Sequence, residues 1–523
     1  MADAPQQIWH PRHNPWLITL TVMMAVFMEV LDTSIANIAL PHIAGSLSAT
    51  PEEATWVLTS YLVANAIVLP MTGWLGNYFG RKRVLLTCIM LFTFASVLCG
   101  LAWSLPTLVI ARIFQGVGGG AMVPIAQSIM LESFPPQKRG VAMAAFAQGV
   151  VVAPILGPVI GGWITDSYSW RWIFYINVPV GIFAVLMAKW VVEDPPYIKR
   201  NVEATIDYIG FGLLTVWLAT MQILLDKGQE ADWFGAEWVR WFTAVSGLSF
   251  LGFVWWEFTT EHPLVDLRVF KNRNFTVGLI LMTTLAAILY GTTAQIPLFL
   301  QTLMGYPALQ SGYALSPRGL AAFVTTALVG RLVGKVRGKW MLCFGFTMLA
   351  VSSFMLAGVN LQVARINVIW PSVVNGIAIS FIFVPLTVMT MSQLGQQQIG
   401  NATGLYNLMR NLGGSIGIAF VTTMLARGAQ AHQALMVGHL APDNPAFTQQ
   451  LAAAKHQLAQ HADPVTATHQ AYAAVYALLD QQAHLWAYVD NFFLFGAAAL
   501  IGLPLIFLFK RVTAPAKPAP AAH

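Results

Sequence analysis

Two acids set inside an apolar stretch are where the chemistry of this chain concentrates. Glu29 and Asp32 interrupt the run WLITLTVMMAVFMEVLDTSIANIALP, Trp16 to Pro41, which exceeds the roughly 20 residues a helix needs to cross a bilayer. Three residues apart on a helix, they share a face and can address one cavity. An acid at the centre of such a helix costs about 2.5–3.5 kcal/mol on insertion scales. Two like charges this close do not both stay ionised in a partly dry site, so one is expected to hold a proton. A carboxyl that gains and loses a proton inside a membrane is what a proton-coupled carrier requires. The alternative is a structural pair buried against other helices.

Arg112 is the natural counter-charge. It sits about six residues inside one end of the apolar run 106–131, roughly 9 Å deep at 1.5 Å per residue, and Asp32 lies roughly 13 Å from the same side. A lone arginine at that depth needs a carboxylate or backbone carbonyls, and Asp32 is the nearest carboxylate by depth. Further polar groups fall within apolar runs and are candidates to line a substrate cavity: Gln115, Gln127, Gln148, Tyr290, Gln295, Asn375 and Asn407, with the cations Arg318 and Arg410. The two arginines either attract anionic amphiphiles or brace neighbouring helices. Asp490 reads as interfacial. The three cysteines, Cys88, Cys99 and Cys343, lie in apolar stretches without metal-ligand spacing. Walker A, HExxH and nucleophile-elbow patterns are missing, which argues against ATP-driven transport and hydrolase chemistry. No metal site and no cofactor is expected; a proton gradient is the energy source the residues point to.

The elements that must position these groups are membrane helices. Of 523 residues 57% are hydrophobic and 10% charged, and the mean hydropathy is +0.63, a balance that excludes a soluble domain of this length. Apolar runs of spanning length number about fourteen. The first six lie near 16–41, 54–76, 84–104, 106–131, 140–165 and 172–192. A pair follows at 206–225 and 237–257, and the last six lie near 275–300, 309–333, 340–359, 366–391, 402–425 and 486–509. The expected organisation is an N-terminal segment 1–15, a six-helix bundle 16–192, a linker 193–274 with two extra helices, a second bundle 275–511 and a disordered Pro/Ala-rich tail 512–523.

A net charge of +6 orients the spans rather than announcing a nucleic-acid partner. Arg81–Lys82–Arg83, Lys138–Arg139, Lys199–Arg200, the Arg268/Lys271/Arg273 cluster, Lys335/Arg337/Lys339 and Lys510–Arg511 fall on one side, which places both termini in the cytoplasm. No cleavable signal peptide is evident in the polar start MADAPQQIWHPRHNP. The stretch 426–485 then lies outside; it is Ala/Gln/His-rich, with helix-forming runs Phe447–Gln460 and Thr466–Ala483, and its scattered histidines read as solvated rather than metal-binding. A faint internal repeat links WVLTSYLVANAIVLPMTGWLGNYFGRKR to GYALSPRGLAAFVTTALVGRLVGKVRGKW, the arrangement of secondary carriers with a midplane site.

Three motifs carry a family resemblance. The second span ends on Gly73-Trp-Leu-Gly-Asn77-Tyr-Phe-Gly80-Arg81-Lys-Arg, which resembles the G-x-L-x-D-x-x-G-R-[RK] loop of the major facilitator superfamily, with Asn77 where the family has Asp. Leu108-x-x-x-Arg112-x-x-Gln115-Gly116 resembles its second motif, whose arginine is linked to proton transfer. Pro154-Ile-Leu-Gly157-Pro158-Val-Ile-Gly161-Gly162 resembles the antiporter motif, where prolines remove helix hydrogen bonds and glycines admit a neighbouring helix. Leu31–Pro41, Trp170–Pro179 and Asn407–Gly417 are similar to signatures of the fourteen-span drug:proton antiporters. The long external stretch before the last span is most similar to that of the EmrB-type pumps.

The resemblance implies an all-α major facilitator fold of two six-helix bundles plus two linking helices. It also implies export of hydrophobic or amphipathic toxic compounds in exchange for protons. In that family setting a membrane-fusion adaptor and an outer-membrane channel complete the route out of a Gram-negative cell. A dedicated exporter of one metabolite, siderophore or fatty acid is the alternative within the same class; a non-transporting sensor or scaffold is the remote one.

Overall fold

The computed structural model describes residues 11–195, 207–261, 263–395, 398–461 and 463–510. The tail 512–523, Arg511 and the Lys199–Arg200 pair lie outside them.

The apolar runs fold as helices, since in lipid each backbone N–H and C=O must be satisfied within its own segment. In chain order they are α1 (Pro15–Ser46), α2 (Pro51–Ala54), α3 (Trp56–Phe79), α4 (Arg81–Leu101), α5 (Leu105–Gly120), α6 (Met122–Ser133), α7 (Arg139–Ser167), α8 (Trp172–Tyr175) and α9 (Asn177–Val191). There follow α10 (Tyr208–Lys227), α11 (Glu237–Thr259), α12 (Arg273–Thr302), α13 (Ala308–Leu332), α14 (Gly338–Ala357), α15 (Arg365–Met391), α16 (Ile399–Val437), α17 (Pro445–Leu458) and α18 (Pro464–Ile506). Local signals set several starts. Asn14 accepts from the backbone N–H of Trp16 ahead of α1, and Ser104 with Thr107 forms a reciprocal cap on α5. Gly80, at φ +88°, makes the sharp turn between α3 and α4 that a side chain would strain.

Two expected spans are broken helices. The run 106–131 divides into α5 and α6 at Ala121, after three consecutive glycines, and 172–192 divides into α8 and α9 at Ile176. Twelve helices among the described residues, with each broken pair taken as one, are long and apolar enough to cross a membrane. Two more are as long but more polar: α11, of 23 residues, carries Glu237, Arg240 and Glu257, and α13, of 25, carries Arg318 and Arg331. The expected fourteen is compatible with this set.

Packing repeats between the halves. In the first, α1 packs on α7, α3 on α5, and α4 on α5 and α9; in the second, α12 packs on α16, α13 on α15, and α14 on α15 and α18. The two stretches of the faint sequence repeat are thereby α3 and α13, which hold equivalent places. The halves meet along α3–α16 and α7–α13. Gly73 faces the backbone of Asn401, and Gly330 faces Ala144. Both contacts lie towards the ends that carry the arginine and lysine clusters, called the basic side below.

The pair α10–α11 packs together, and α10 lies on both α3 and α16. Asp226 accepts from Thr59 of α3, and Gln222 donates to Ser415 of α16 at 2.8 Å. The stretch 426–485 is not a separate loop: α16 runs on to Val437 and α18 starts at Pro464. Between them α17 buries Phe447 and Leu451 against Ala471 and Val475.

Candidate proton-coupling site

Asp32 and Arg112 meet inside the first bundle. Arg112 Nη1 donates to Asp32 Oδ2 at 2.5 Å, and the pair is shut away from solvent, with side chains 1% and 0% exposed. The glycine-rich path of α5 brings this about. Gly116 faces the backbone of Tyr61 and the methyl of Ala64, and Gly118 faces the backbone of Phe92, so α5 lies close against α3 and α4. Arg112 Nε also donates to the carbonyl of Val57 at 3.0 Å, and its guanidinium lies over the Tyr61 ring, 4.3 Å from the centroid. Carboxylate, carbonyl and aromatic face together offset the cost of burying the cation.

The rest of the network comes from Gln115 of the same α5 and from two helices that sequence reasoning did not connect, α4 with Ser96 and α9 with Asn177. Gln115 donates to Asp32 Oδ1 at 2.8 Å and to Ser96 Oγ at 2.8 Å, while its own oxygen accepts from Arg112 at 2.7 Å. Asn177, the first residue of α9, donates to the same Asp32 Oδ1 at 2.8 Å. Asp32 thus accepts three hydrogen bonds, two on Oδ1 and one on Oδ2. Gln115, expected in a substrate wall, is part of this network in this state. The signal for Asn177 was its place in the Trp170–Pro179 signature; nothing in its apolar surroundings assigned it a partner.

Glu29, one turn away on α1, has a different setting. Its Oε1 accepts from Asn65 at 3.0 Å and Tyr61 at 3.5 Å, while Oε2 is buried with no hydrogen-bond partner. It faces the basic side, and Arg410 of the second bundle acts on it electrostatically. Neither acid of α1 faces lipid, and Tyr61 touches both halves of the site.

The remaining candidates divide by place. Gln127 and Asn407 are paired across the two bundles, with Asn407 donating at 2.7 Å, and beside them Ser128 and Thr403 share a hydrogen bond of 2.6 Å. Gln148 donates to the carbonyl of Phe323, linking α7 to α13. Arg318 donates to Thr293 at 2.9 Å and to the carbonyl of Leu289 at 3.3 Å. No ion pair holds it among the described residues. Asn375 is buried, with an unpartnered oxygen. Gln295 is fully buried and donates to the carbonyl of Tyr488, so it serves packing inside the second bundle. Tyr290 is 39% exposed and lies against Gly414, and Arg410 is half-buried. Asp490, on α18, is paired with His432 of α16 at 2.7 Å.

Residues 22–418 match the Major Facilitator Superfamily. The chain belongs to that superfamily. It is 39% identical to the multidrug export protein EmrB of Haemophilus influenzae over 82% of this chain and 84% of that protein. It is equally similar, at 39% over 81% of this chain and 83% of the other, to the fatty acid resistance protein FarB of Neisseria gonorrhoeae. Among solved structures, the proton:xylose symporter XylE shares the fold with a TM-score of 0.60 at 14% identity, covering 95% of this chain and 96% of its own. The protein is a multi-pass membrane transporter of the major facilitator superfamily rather than an enzyme.

Within the superfamily fold, the loop after α3 departs from its usual chemistry. Asn77 is exposed, and the carboxylates come from elsewhere. Arg81, 1% exposed, pairs with Glu132 at the end of α6. Asp194, just past α9, packs against Gly80 and accepts from the backbone N–H of Lys82 at 2.8 Å. The loop is therefore tied to α6 and α9 without the family aspartate.

The antiporter motif lies along α7 where it packs on α1. Gly157 faces Ser34 and Gly161 faces Ile35, so any side chain there would push α1 away. Gly162 faces open space, and Pro154 is exposed. Pro158 lies in the same helix.

Proposed function

We propose that this transporter exports hydrophobic or amphipathic toxic compounds from the cytoplasm or inner leaflet, driven by protons moving inward. Support for the cargo comes from relatives named for multidrug export and fatty acid resistance. Support for the coupling comes from one observation above all: the buried Asp32–Arg112 pair, with Glu29 a turn away on the same helix.

In this reading the basic side is cytoplasmic, both termini lie there, and the protein sits in the inner membrane as two six-helix bundles joined by the α10–α11 pair. External protons load Asp32, with Glu29 as a second site. A neutral Asp32 holds Arg112 less strongly, which releases α5 from α1 and favours the inward-facing state where substrate binds. Release of the proton inward restores the pair. Proton and substrate each bias the same two-state equilibrium, so their exchange is coupled by linkage. A periplasmic adaptor and an outer-membrane channel complete the route in the proposed tripartite pump.

Transport by the purified protein in liposomes with an imposed pH gradient tests this, with ethidium and oleate as probes. Asp32→Asn is expected to abolish gradient-driven movement while the protein elutes as wild type from size exclusion. Wild-type rates from that variant would refute the coupling.

A narrower cargo is the second reading. Arg318 is a buried cation held only by a hydroxyl and a carbonyl among the described residues, which suits a carboxylate-bearing amphiphile. Loss of oleate but not ethidium transport in Arg318→Gln would favour it.

A further inference from the structure

Hydrogen-bond bookkeeping around Asp32 raises a problem for proton uptake. Every neighbour of its carboxylate is a donor: Arg112 on Oδ2, Gln115 and Asn177 on Oδ1. An ionised carboxylate suits three donors, whereas a protonated one has its own O–H to place and needs an acceptor. A proton on Oδ2 would face the Arg112 guanidinium. A proton on Oδ1 can be accommodated only if one of the two amides turns and presents its oxygen.

The two amides are not equally free. Gln115 is held at both ends: its oxygen accepts from Arg112 at 2.7 Å and from the Cys99 thiol at 3.3 Å, and its nitrogen also donates to Ser96 at 2.8 Å. Turning it would break all of these. Asn177 is held through its nitrogen alone, by Asp32 at 2.8 Å and Ser96 at 3.4 Å. Its position at the start of α9, after the break at Ile176, lets it reach Asp32 from a helix that carries none of the other partners.

We propose that Asn177 is the amide that turns with the protonation state of Asp32, donating to the carboxylate and accepting from the acid. The proton arrives from external water, forms the O–H bond on Oδ1 and is held by Asn177 Oδ1, while Oδ2 remains with Arg112 until the helices part. Asn177 is thus a positioning residue, and this role rests on the proton-coupling reading. The charged and titratable groups around Asp32 are Arg112 of α5, Tyr61 of α3, Cys99 of α4 and Glu29 of α1, with Arg410 of α16 acting electrostatically on Glu29. None of them replaces an acceptor at Oδ1.

Infrared difference spectra of the protein in liposomes, taken as the pH is lowered, read this directly and need no transported compound. The band of protonated Asp32 is identified by its loss in Asp32→Asn. In Asn177→Leu, which offers neither donor nor acceptor, the acid carbonyl band is expected to move to higher frequency. In Asn177→Ser, whose hydroxyl can do both, it should stay near the wild-type position. Gradient-driven ethidium transport should fall about tenfold or more in the leucine variant, the range of one hydrogen bond to a charged group. The leucine variant should elute as wild type from size exclusion, the mark of an intact fold. An unmoved band in Asn177→Leu, or wild-type gradient-driven transport by that variant, would overturn the proposal. If no band is lost in Asp32→Asn, the proton reading itself falls and takes this one with it.

Discussion

At the scale of single residues, two acids on one helix have unequal environments. Asp32 has three donors, one of them a cation; Glu29 has two neutral donors on one oxygen and none on the other. Glu29→Gln is accordingly expected to slow gradient-driven transport rather than end it, with a loss that varies between ethidium and oleate. Complete loss with both would make Glu29 the primary carrier. Glu132 is a structural counterpart: it neutralises the buried Arg81. Removing one partner of a buried pair costs about 3–5 kcal/mol, so Glu132→Gln should lower the unfolding temperature in detergent by several degrees, read by a thermal-shift assay. Much of the site was legible from cost alone: Glu29, Asp32 and Arg112 declared themselves because charge in an apolar run is expensive. Asn177 and Ser96 did not, because a neutral amide or hydroxyl in a membrane helix costs little and its partner is set by tertiary packing.

Among the elements, close helix contacts rest on glycines. A Cβ at Gly73 would come within 2.4 Å of the Cα of Asn401, so α3 and α16 can close together only with glycine there. Gly73→Val should hold this seam apart. Cysteines placed at Leu69 and Leu405, on the two helices that form it, should then cross-link more slowly than in the parent protein, and export should fall. Unchanged cross-linking would mean that the seam does not govern closure. Helix ends were the least legible feature. The parts of α16 and α18 beyond the apolar runs are rich in Ala and Gln, strong helix formers, with polar His among them, so the helix outlasts the apolar run. A hydropathy reading therefore stops where the apolar runs stop, about 425 and 486, while the helices continue. The broken spans were missed for the converse reason, since hydropathy is blind to a kink after Gly118–Gly120.

For the molecule as a whole, the repeat between halves was faint in sequence yet plain in packing, because a helix bundle fixes which faces meet and leaves most residue identities free. The extra pair was legible as two additional spans, but its place was not. Only the contacts of α10 with both α3 and α16 show that it covers the seam between bundles. The portion between the apolar runs of α16 and α18 offers a test at this scale. Replacing residues 438–463 with a short flexible linker should leave transport across a single liposome bilayer within about twofold of wild type, since no proposed coupling group lies there. In cells with two membranes the same variant should lose most of its protective effect. Loss of liposome transport would instead make the extension part of the carrier.

The length of α18 has a mechanical outcome. Its 43 residues extend about 64 Å at 1.5 Å per residue, roughly twice the thickness of the hydrocarbon layer. The outer portion is lashed to α16 by the His432–Asp490 and Gln433–Tyr476 bonds and carries α17 on its side. A stiff rod rooted in one half of a rocking carrier sweeps its far tip through a larger arc than its root. Each turnover would therefore be broadcast as a sideways stroke well clear of the lipid, so that whatever rests on that tip feels the state of a carboxyl buried in the other half.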